Sequence, residues 1–300
     1  MREIEIVQAP SALGLRPSGV EDLPSALLGA GLRERLGAVV GRRVDTPASD
    51  RRRDPATNVL NPNGIARFSV QLADVVGEVL ARGAFPVVLG GDCSILLGNL
   101  LALRRRGRYG LLFVDGHTDF YQPAAEPTGE AASMDLALAT GRGPRVLADI
   151  EGRGPLVRDE DVVVLGYRDA AESAAAGMQP LPSRLLAVDL HQVREAGAAV
   201  AARRAVSWLD GGGSGGLWVH LDVDVLDDAV MPAVDYRLPG GLTWAELESV
   251  LETAMSSGRA VGLDVTIFNP RLDPDARIAA RLTECLCRGL SALADHGHAS

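Results

Sequence analysis

The sequence predicts an α/β fold in which a mostly parallel, doubly wound sheet lies between helices in three α/β/α layers. β-rich runs alternate along the chain with longer stretches rich in alanine and leucine, as βαβ connections require. Several runs, including VVVLG at 162–166, are apolar at nearly every position. Such strands are expected where helices cover both faces of a parallel sheet.

The predicted elements alternate from the N-terminus onward. The β-branched and apolar runs predict strands over residues 3–7, 86–90, 109–115, 161–165, 185–189, 217–224 and 260–264. The alanine- and leucine-rich stretches predict helices over residues 23–36, 65–82, 94–105, 133–140, 193–209, 243–256 and 275–296. No internal repeat or break in composition divides the chain, which indicates one domain over residues 1–300.

The composition excludes several kinds of chemistry. The formal charge is −9, and all 30 cationic side chains are arginines, so no lysine can form a Schiff base or serve a P-loop. The negative balance argues against nucleic acid or an anionic membrane as the partner and favours a small-molecule substrate. Three cysteines are too few for a disulfide framework, and the N-terminus lacks the apolar core of a signal peptide. A cytoplasmic protein is expected.

A candidate metal site follows the strand predicted at 109–115. Asp115, His117 and Asp119 alternate along DGHTD, so the three side chains can point the same way. Two carboxylates and an imidazole suit Mn²⁺, Fe²⁺ or Zn²⁺. The alternative is a polar turn with capping aspartates.

A second pair of carboxylates lies in LWVHLDVDVLDD at 217–228. Asp222 and Asp224 share one face among apolar neighbours. Two adjacent ionised carboxylates in an apolar strand are unfavourable unless a cation neutralises them. This pair therefore favours a metal site over a structural role.

A third strand end, VVLGGDCS at 87–94, brings Cys93 to the same edge of the sheet. Taken alone, Cys93 is typical of an inert buried thiol, but a thiol beside metal ions is readily deprotonated and becomes a ligand. With the carboxylates and His117 it supplies enough ligands for two ions. Two adjacent ions can lower the pKa of a bridging water and present a hydroxide to an electrophilic carbon.

These motifs, in this order, resemble those of the arginase/agmatinase (ureohydrolase) family. GGDCS at 90–94 stands for the usual GGDHS, DGHTD at 115–119 for DAHxD, HLDVDVLDD at 220–228 for SxDxDxxDP, and GLDVTIFNP at 262–270 for GLDxxExNP. The resemblance spans nearly the whole chain. It implies the arginase-like three-layer fold, a binuclear manganese centre, hydrolysis of a guanidino or amidino C–N bond, and a homo-oligomer, commonly a trimer or hexamer.

The resemblance also implies a ligand for each position of the metal centre. Asp115 and Asp222 would bridge both ions, and His117 with Asp224 would complete one site. Asp119 with Cys93 would complete the other. Because Cys93 replaces a histidine with a soft sulfur, Zn²⁺ or Fe²⁺ becomes an alternative to Mn²⁺.

Two further departures affect the substrate side. Ile267 replaces the glutamate that contacts the substrate's guanidinium, and an apolar side chain cannot compensate for desolvation of that cation. Ala132 lies near the place of a proton-shuttling histidine. Glu130, Glu126 or Tyr121 could substitute as an acid or a substrate contact, and their spacing does not choose among them.

The leading hypothesis is a metal-dependent C–N hydrolase whose substrate is an amidine, imine or amide and not a standard guanidinium. The expected catalytic residues are Asp119, Glu130 and His117, and Tyr121, Glu130 and Ile267 are expected to contact substrate. The alternative is a catalytically silent paralogue that keeps its metal for stability or partner binding. A third hypothesis is a true guanidino hydrolase with relocated catalytic groups.

The remaining histidines have weaker patterns. His220 could support the metal site from behind or be a satisfied core histidine, and His191 is expected at a helix start. His296 and His298 are expected in a polar C-terminal tail. Arg168 and Asp169, which follow a strand, are expected to be structural or at the rim of the substrate site.

Overall fold

One parallel sheet organises the computed structural model, which describes residues 2–16 and 19–295. The strands are β1 (Ile4–Gln8), β2 (Val39–Arg43), β3 (Phe85–Leu89), β4 (Gly110–Val114), β5 (Val162–Leu165), β6 (Leu186–Val188), β7 (Leu217–Asp222) and β8 (Ala260–Thr266). Their order is β2-β1-β3-β8-β7-β4-β5-β6, and each neighbouring pair is parallel. The predicted parallel α/β class is therefore confirmed.

The sequence does not predict the edge strand β2. Its VVGRR segment is short and half polar, and most of its residues are exposed. An edge strand is hydrogen-bonded on one side only, and charged side chains there discourage pairing with another chain. A segment of this kind therefore lacks the apolar run that identifies the central strands.

The helices lie on both sides of the sheet. They are α1 (Leu23–Gly29), α2 (Leu32–Leu36), α3 (Pro62–Ala81), α4 (Leu96–Arg104), α5 (Asp135–Ala139), α6 (Arg145–Ala148), α7 (Ala170–Ala175), α8 (Leu190–Ala196), α9 (Ala198–Gly211), α10 (Trp244–Ser256), α11 (Arg277–Gly289) and α12 (Ala292–Asp295). Within the described residues, no helix is long and apolar enough to cross a lipid bilayer.

Three predicted helices are divided in the structure. The helix predicted at 23–36 becomes α1 and α2, and the one at 193–209 becomes part of α8 and α9. Between α8 and α9, Gly197 has φ 84°, a conformation that ends a helix and that glycine adopts without steric cost. The helix predicted at 275–296 becomes α11 and α12, and residue 296 lies outside the described residues.

Two hydrophobic clusters form the core, one on each face of the sheet. Successive strand residues alternate between them: Val87 and Leu89 belong to one cluster, and Val88 to the other. Helices α1, α2 and α8–α11 cover the first face, whereas α3–α6 cover the second. Each fully buried leucine or valine contributes roughly 1.5–3 kcal/mol of burial free energy. This packing holds the strands in place, and with them the polar residues at the carboxyl ends of the strands.

Polar residues collect where the four adjacent strands β3, β8, β7 and β4 end. Cys93, Asp222 and Asp115 are fully or almost fully buried there. In open α/β sheets, ligands bind outside the carboxyl ends of the strands. The sheet order therefore brings together residues that are far apart in the sequence.

Candidate metal centre

The turn after β4 presents the first group of ligand side chains. The backbone N–H of His117 donates to Asp115 Oδ1 at 2.6 Å, and the N–H of Gly116 donates to Asp224 Oδ1 at 3.1 Å. Thr118 donates from its hydroxyl to Asp169 Oδ2 at 3.0 Å. These bonds fix the turn, so that His117 Nδ1 lies 3.0 Å from Asp224 Oδ2.

The segment after β7 holds the second pair of carboxylates. It continues as a short 3₁₀ helix, Val223–Val225, and the N–H of Asp224 donates to Asp222 Oδ1 at 2.8 Å. Arg168 clamps the segment from outside, since its Nη2 donates to the carbonyls of Asp224 and Leu238 at 2.9 and 2.7 Å. Arg168 is therefore a structural residue of this loop.

Cys93 enters from the end of β3 at the start of the 3₁₀ helix Cys93–Ile95. Its thiol is buried, donates to Asp222 Oδ2 at 2.9 Å and lies 3.2 Å from Thr266 Oγ1. The preceding Asp92 has another role, because its carboxylate caps this 3₁₀ helix by accepting from the N–H of Ser94 at 2.9 Å. Cys93 thus faces the carboxylate cluster, whereas Asp92 holds the turn.

Two groups of side chains among the described residues could each hold a metal ion. One consists of Cys93, Asp115 and His220, and the other of Asp115, His117 and Asp224; within each group the ligand atoms lie within 4.8 Å of one another. Asp115 is common to both, and its Oδ2 is buried without a hydrogen-bond partner. Two adjacent positions sharing one carboxylate fit a binuclear centre.

Asp119 and Asp222 border these two groups without belonging to either. Asp222 contacts Cys93 directly, as described above. Asp119 is buried in the turn after β4 with φ 43°, a left-handed conformation that aspartate adopts more readily than most residues. The structure therefore places all six predicted ligands at one edge of the sheet, and their roles in binding stay predictions.

Burial and mutual repulsion dominate the electrostatics of the cluster. Burial and then the charge of Asp224 raise the pKa of Asp115 to about 6. Burial and neighbouring carboxylates also raise the pKa of Asp119, Asp222 and the Cys93 thiol well above their usual values. Crowded buried carboxylates of this kind are stabilised when a cation neutralises them.

Asp224 behaves differently from the other carboxylates. Burial alone would raise the pKa of Asp224, but the charges of His117 and Arg168 and a backbone hydrogen bond outweigh burial and lower it. The same pairing raises the pKa of His117 well above its usual value against the opposing effect of burial. Asp224 therefore stays ionised even without a cation.

Two further buried groups lie beside this cluster; the sequence left the role of the first, His220, open and gave no prediction for the second, Asp135. His220, in β7, belongs to the group with Cys93, and its pattern in the sequence equally suits a core histidine. Asp135, the first residue of α5, is fully buried with Oδ2 unpartnered. Burial raises the pKa of Asp135 well above its usual value, and the charges of His220 and Asp115 also act on it. In the sequence, Asp135 cannot be distinguished from an acid at a helix N-terminus.

The loop that follows Asp119 carries the residues for which the sequence predicts substrate contact or proton transfer. Glu130 is buried, accepts a hydrogen bond from the Tyr236 hydroxyl at 2.6 Å and accepts one from the N–H of Arg16 at 3.2 Å. Tyr121 lies on the same loop, half-buried. Glu126 accepts from Thr128 and from backbone N–H groups, so it stabilises its own loop. Tyr236 had no signal in the sequence, since its loop is far from residue 130 along the chain.

Ile267 follows β8 and is buried beside the Gly91 turn. Its N–H donates to the carbonyl of Gly91 at 2.8 Å, and its φ of 71° is unusual for a β-branched residue. Ala132 lies in the 3₁₀ helix Ala131–Ser133 and is also buried. Neither position offers an ionisable group to a substrate.

The other histidines do not belong to the carboxylate cluster: His191 is exposed, and the remaining two lie outside the residues that the structure describes. His191 is the second residue of α8, its side chain is 79% exposed, and it lies 3.6 Å from Glu195. His296 and His298, for which the sequence predicts a polar tail, lie outside the residues that the structure describes.

Comparison with known proteins places the fold and the motifs in one family. The arginase family profile matches residues 2–290. Arginase of Bacillus caldovelox is 29% identical over 287 residues, covering 93% of this chain and 95% of that protein. Human arginase-1 is 30% identical over 279 residues, covering 90% of this chain and 86% of that protein. The solved native structure of the Bacillus caldovelox arginase superposes with a TM-score of 0.86 at 27% identity, covering 97% of this chain and 98% of that one.

The chain therefore belongs to the arginase family, as its motifs predict. The eight-stranded parallel sheet with helices on both faces is the arginase-like fold. The family comprises hydrolases of amidino and guanidino C–N bonds with a binuclear metal centre, typically of manganese. Here the candidate ligand groups are present, with a thiol among them.

Proposed function

We propose that this protein is a metal-dependent hydrolase that cleaves a C–N bond of an amidine-, imine- or amide-like substrate, and not of a standard guanidinium. One observation carries the proposal: the carboxylates, His117 and Cys93 converge at one sheet edge, and the adjoining position 267 is an apolar, buried isoleucine. The proposal thus keeps the family's metal centre, with a thiol in place of one histidine, and changes the class of substrate.

The proposed ligand set assigns a task to each side chain of the cluster. Asp115 and Asp222 would bridge two ions, His117 with Asp224 would complete one position, and Asp119 with Cys93 the other. Divalent cations held by these residues would supply a water nucleophile of lowered pKa. Manganese is the family's typical ion, and the sulfur of Cys93 favours zinc or iron as the alternative.

The proposed catalytic residues are Asp119, His117 and Glu130, which move or hold protons around the reacting carbon. Glu130 suits this task because it is buried and hydrogen-bonded to a phenol that can relay a proton. Tyr121 lies on the same loop and would contact substrate. Asp119 and His117 would act through their positions next to the attacking water.

Ile267 carries the argument about substrate class. A guanidinium stays cationic at any physiological pH, and removing it from water is costly without a carboxylate or a set of acceptors. Ile267 provides neither. A neutral amide or a weakly basic imine avoids this cost, so these two classes are favoured most strongly over arginine and agmatine. An amidine is itself cationic at physiological pH, but its amidinium has fewer N–H groups to satisfy than a guanidinium has.

A substrate screen tests the proposal. The metal-loaded protein is assayed for ammonia or amine release from amidines, imines, primary amides, arginine and agmatine. We expect turnover in the first three classes and a loss of about 100-fold or more in Asp222→Asn, because an electrostatic group of the site is removed. Asp228→Asn, on the rim of the same segment, is the matched control.

A reciprocal variant tests the role of position 267. Ile267→Glu should increase competition by arginine or agmatine, because it returns a carboxylate to the substrate side. Turnover of arginine by the unaltered chain, at a rate that Ile267→Glu does not improve, would contradict the proposed substrate class and favour a guanidino hydrolase with relocated catalytic groups.

The second candidate is a catalytically silent paralogue in which the metal centre stabilises the fold or supports a partner. The apolar residues at both Ile267 and Ala132 favour it, because each stands where the family resemblance implies an ionisable side chain. It predicts no turnover that depends on Asp222, together with a melting temperature that falls when metal is removed. A cytoplasmic homo-oligomer, trimeric or hexameric, is part of either proposal.

A further inference from the structure

His220 is a buried side chain of β7 to which the ligand set above assigns no role. Its ring stacks on Phe113 with the centroids 4.7 Å apart, and its Nδ1 lies 2.6 Å from Asp264 Oδ2. The other oxygen of Asp264 accepts a hydrogen bond from the indole of Trp218. Because the carboxylate is an acceptor, His220 Nδ1 carries the proton of this pair. The ring is therefore held in a fixed orientation by neighbours on β4 and β8.

The second ring nitrogen of His220 is the unexplained one. Nε2 is fully buried and has no hydrogen-bond partner among the residues that the structure describes. Buried polar atoms are nearly always satisfied, so an open nitrogen in this interior calls for a bound group. Cys93 Sγ, a carboxylate oxygen of Asp115 and a ring nitrogen of His220 lie within 4.8 Å of one another. Because Nδ1 is engaged by Asp264, Nε2 is the ring nitrogen that remains available to join this sulfur and this oxygen.

We propose that His220 is a metal ligand through Nε2 and forms, with Cys93 and Asp115, a zinc-selective position of the metal centre. Sulfur, imidazole nitrogen and carboxylate oxygen are the three ligand types that zinc binds in proteins. Asp264 on Nδ1 supplies the carboxylate–histidine support usual behind metal-bound histidines. A bound cation would also convert the buried Cys93 thiol to the thiolate that coordinates.

The neighbouring position differs in chemistry. Asp115, His117 and Asp224 offer only oxygen and nitrogen, which suit Mn²⁺. The two positions would therefore hold different ions, with Asp115 between them. This inference rests on the metal centre of the proposed function but on no particular substrate, so binding measurements test it separately from turnover.

Metal titration is the first test. The purified full chain is freed of metal with a chelator and titrated with Zn²⁺, comparing the unaltered chain with His220→Gln. We expect the tighter zinc position to weaken about 100-fold or more in His220→Gln, and about 10- to 100-fold in Asp264→Asn. His191→Gln, which alters an exposed histidine of α8, should bind zinc as the unaltered chain does.

Spectroscopy of the unaltered site provides a second measurement that does not depend on whether His220→Gln folds. Co²⁺ in the tighter position should show a thiolate-to-cobalt charge-transfer band that Cys93→Ser lacks. Zinc-edge X-ray absorption in a His117→Gln background should then show one sulfur together with imidazole scattering, which must come from another histidine.

Two results would overturn the inference. If His220→Gln is folded and binds both zinc equivalents as tightly as the unaltered chain, His220 is a core residue that affects only the melting temperature. Absence of sulfur or imidazole scattering at the tight position would exclude the ligand set directly. Retained metal binding without turnover of any substrate would count against the proposed hydrolase alone.

Discussion

At the scale of single residues, Gly91 lies where two backbone segments approach each other closely beside the predicted metal ligands. A Cβ at this position would lie 1.8 Å from the carbonyl oxygen of Ser11, a backbone atom that cannot move aside cheaply. The same carbonyl accepts a hydrogen bond from the N–H of Asp92 at 2.9 Å. Gly91 of GGDCS therefore allows the segments that follow β1 and β3 to pack closely, in addition to any approach of a ligand.

Gly91→Ala should destabilise the protein by about 3 kcal/mol, because the added methyl group overlaps a buried carbonyl and the turn must shift. Thermal or denaturant unfolding measures the change. Gly77→Ala is the matched control: this glycine lies in α3 with nothing within 4 Å of the added Cβ, so alanine there should stabilise by about 0.5–1 kcal/mol. Equal effects of the two substitutions would refute the close-approach argument.

Single residues also limited what the sequence could predict about the site. Asp115, His117, Asp222 and Asp224 follow strands in alternating patterns, so their convergence could be predicted from strand geometry. Asp135 and Tyr236 could not, because nothing local distinguishes a helix-start acid or a loop tyrosine from solvent-facing ones. Their environments come from segments far along the chain.

At the scale of elements, the loop between β7 and α10 depends on Arg168. Beyond its bonds to the carbonyls of Asp224 and Leu238, its guanidinium donates to those of Leu226 and Pro239 at 3.2 Å each. One side chain from the end of β5 thus holds both ends of a long loop. The planar fork of arginine supplies donors in several directions at once, which lysine cannot do.

Arg168→Lys should therefore loosen the segment that carries Asp224 and weaken metal binding by roughly 10-fold, as for other supporting residues of metal sites. Metal titration of the unaltered chain and of Arg168→Lys measures the change in affinity. Arg184→Lys is the control, because Arg184 is 70% exposed and forms one ion pair with Glu160. Unchanged metal affinity in Arg168→Lys would show that the loop keeps its shape without the fork.

At the scale of the whole molecule, the metal-free protein carries a cluster of buried charges. In the folded chain the pKa of Asp115 is raised to about 6 by burial and by Asp224, and burial raises the pKa of Asp119, Asp135 and Asp222 well above the usual value of an aspartate. The folded chain therefore holds protons that the unfolded chain releases above pH 4. Burial alone would lower the pKa of His220, but Asp264 raises it to about 9. The folded chain therefore also keeps a proton on His220 that the unfolded chain releases at lower pH.

Stability of the metal-free protein should accordingly fall as pH rises from 5 to 8. Each proton held only by the folded chain contributes a slope of about 1.4 kcal/mol per pH unit. The lowered pKa of Asp224 has the opposite sign, but its contribution is complete above pH 4 and does not affect this window. Chemical denaturation of chelator-treated protein at several pH values measures the slope, and a stability that rises from pH 5 to 8 would contradict it.

Bound metal should reverse this trend, because the ligands must release their protons to bind. At a free ion concentration 100 times its Kd, each ion should add about 2.7 kcal/mol to the free energy of unfolding.

The expected single domain over residues 1–300 stays a prediction. It is supported by one sheet whose strands come from residue 4 to residue 266 of the chain.

The sequence by itself determined the fold class and the predicted metal-ligand positions, because strand alternation and apolar runs are local patterns that survive in any α/β sheet. The sequence did not determine the edge strand β2 or the division of three helices. The exposure of a strand and the breaks in a helix depend on the elements that pack against them. Only the tertiary structure decided that the ring of His220, with one nitrogen unpartnered, lies beside Cys93 and Asp115. That arrangement requires β3, β8, β7 and β4 to lie side by side, with Asp264 and Phe113 fixing the ring from neighbouring strands.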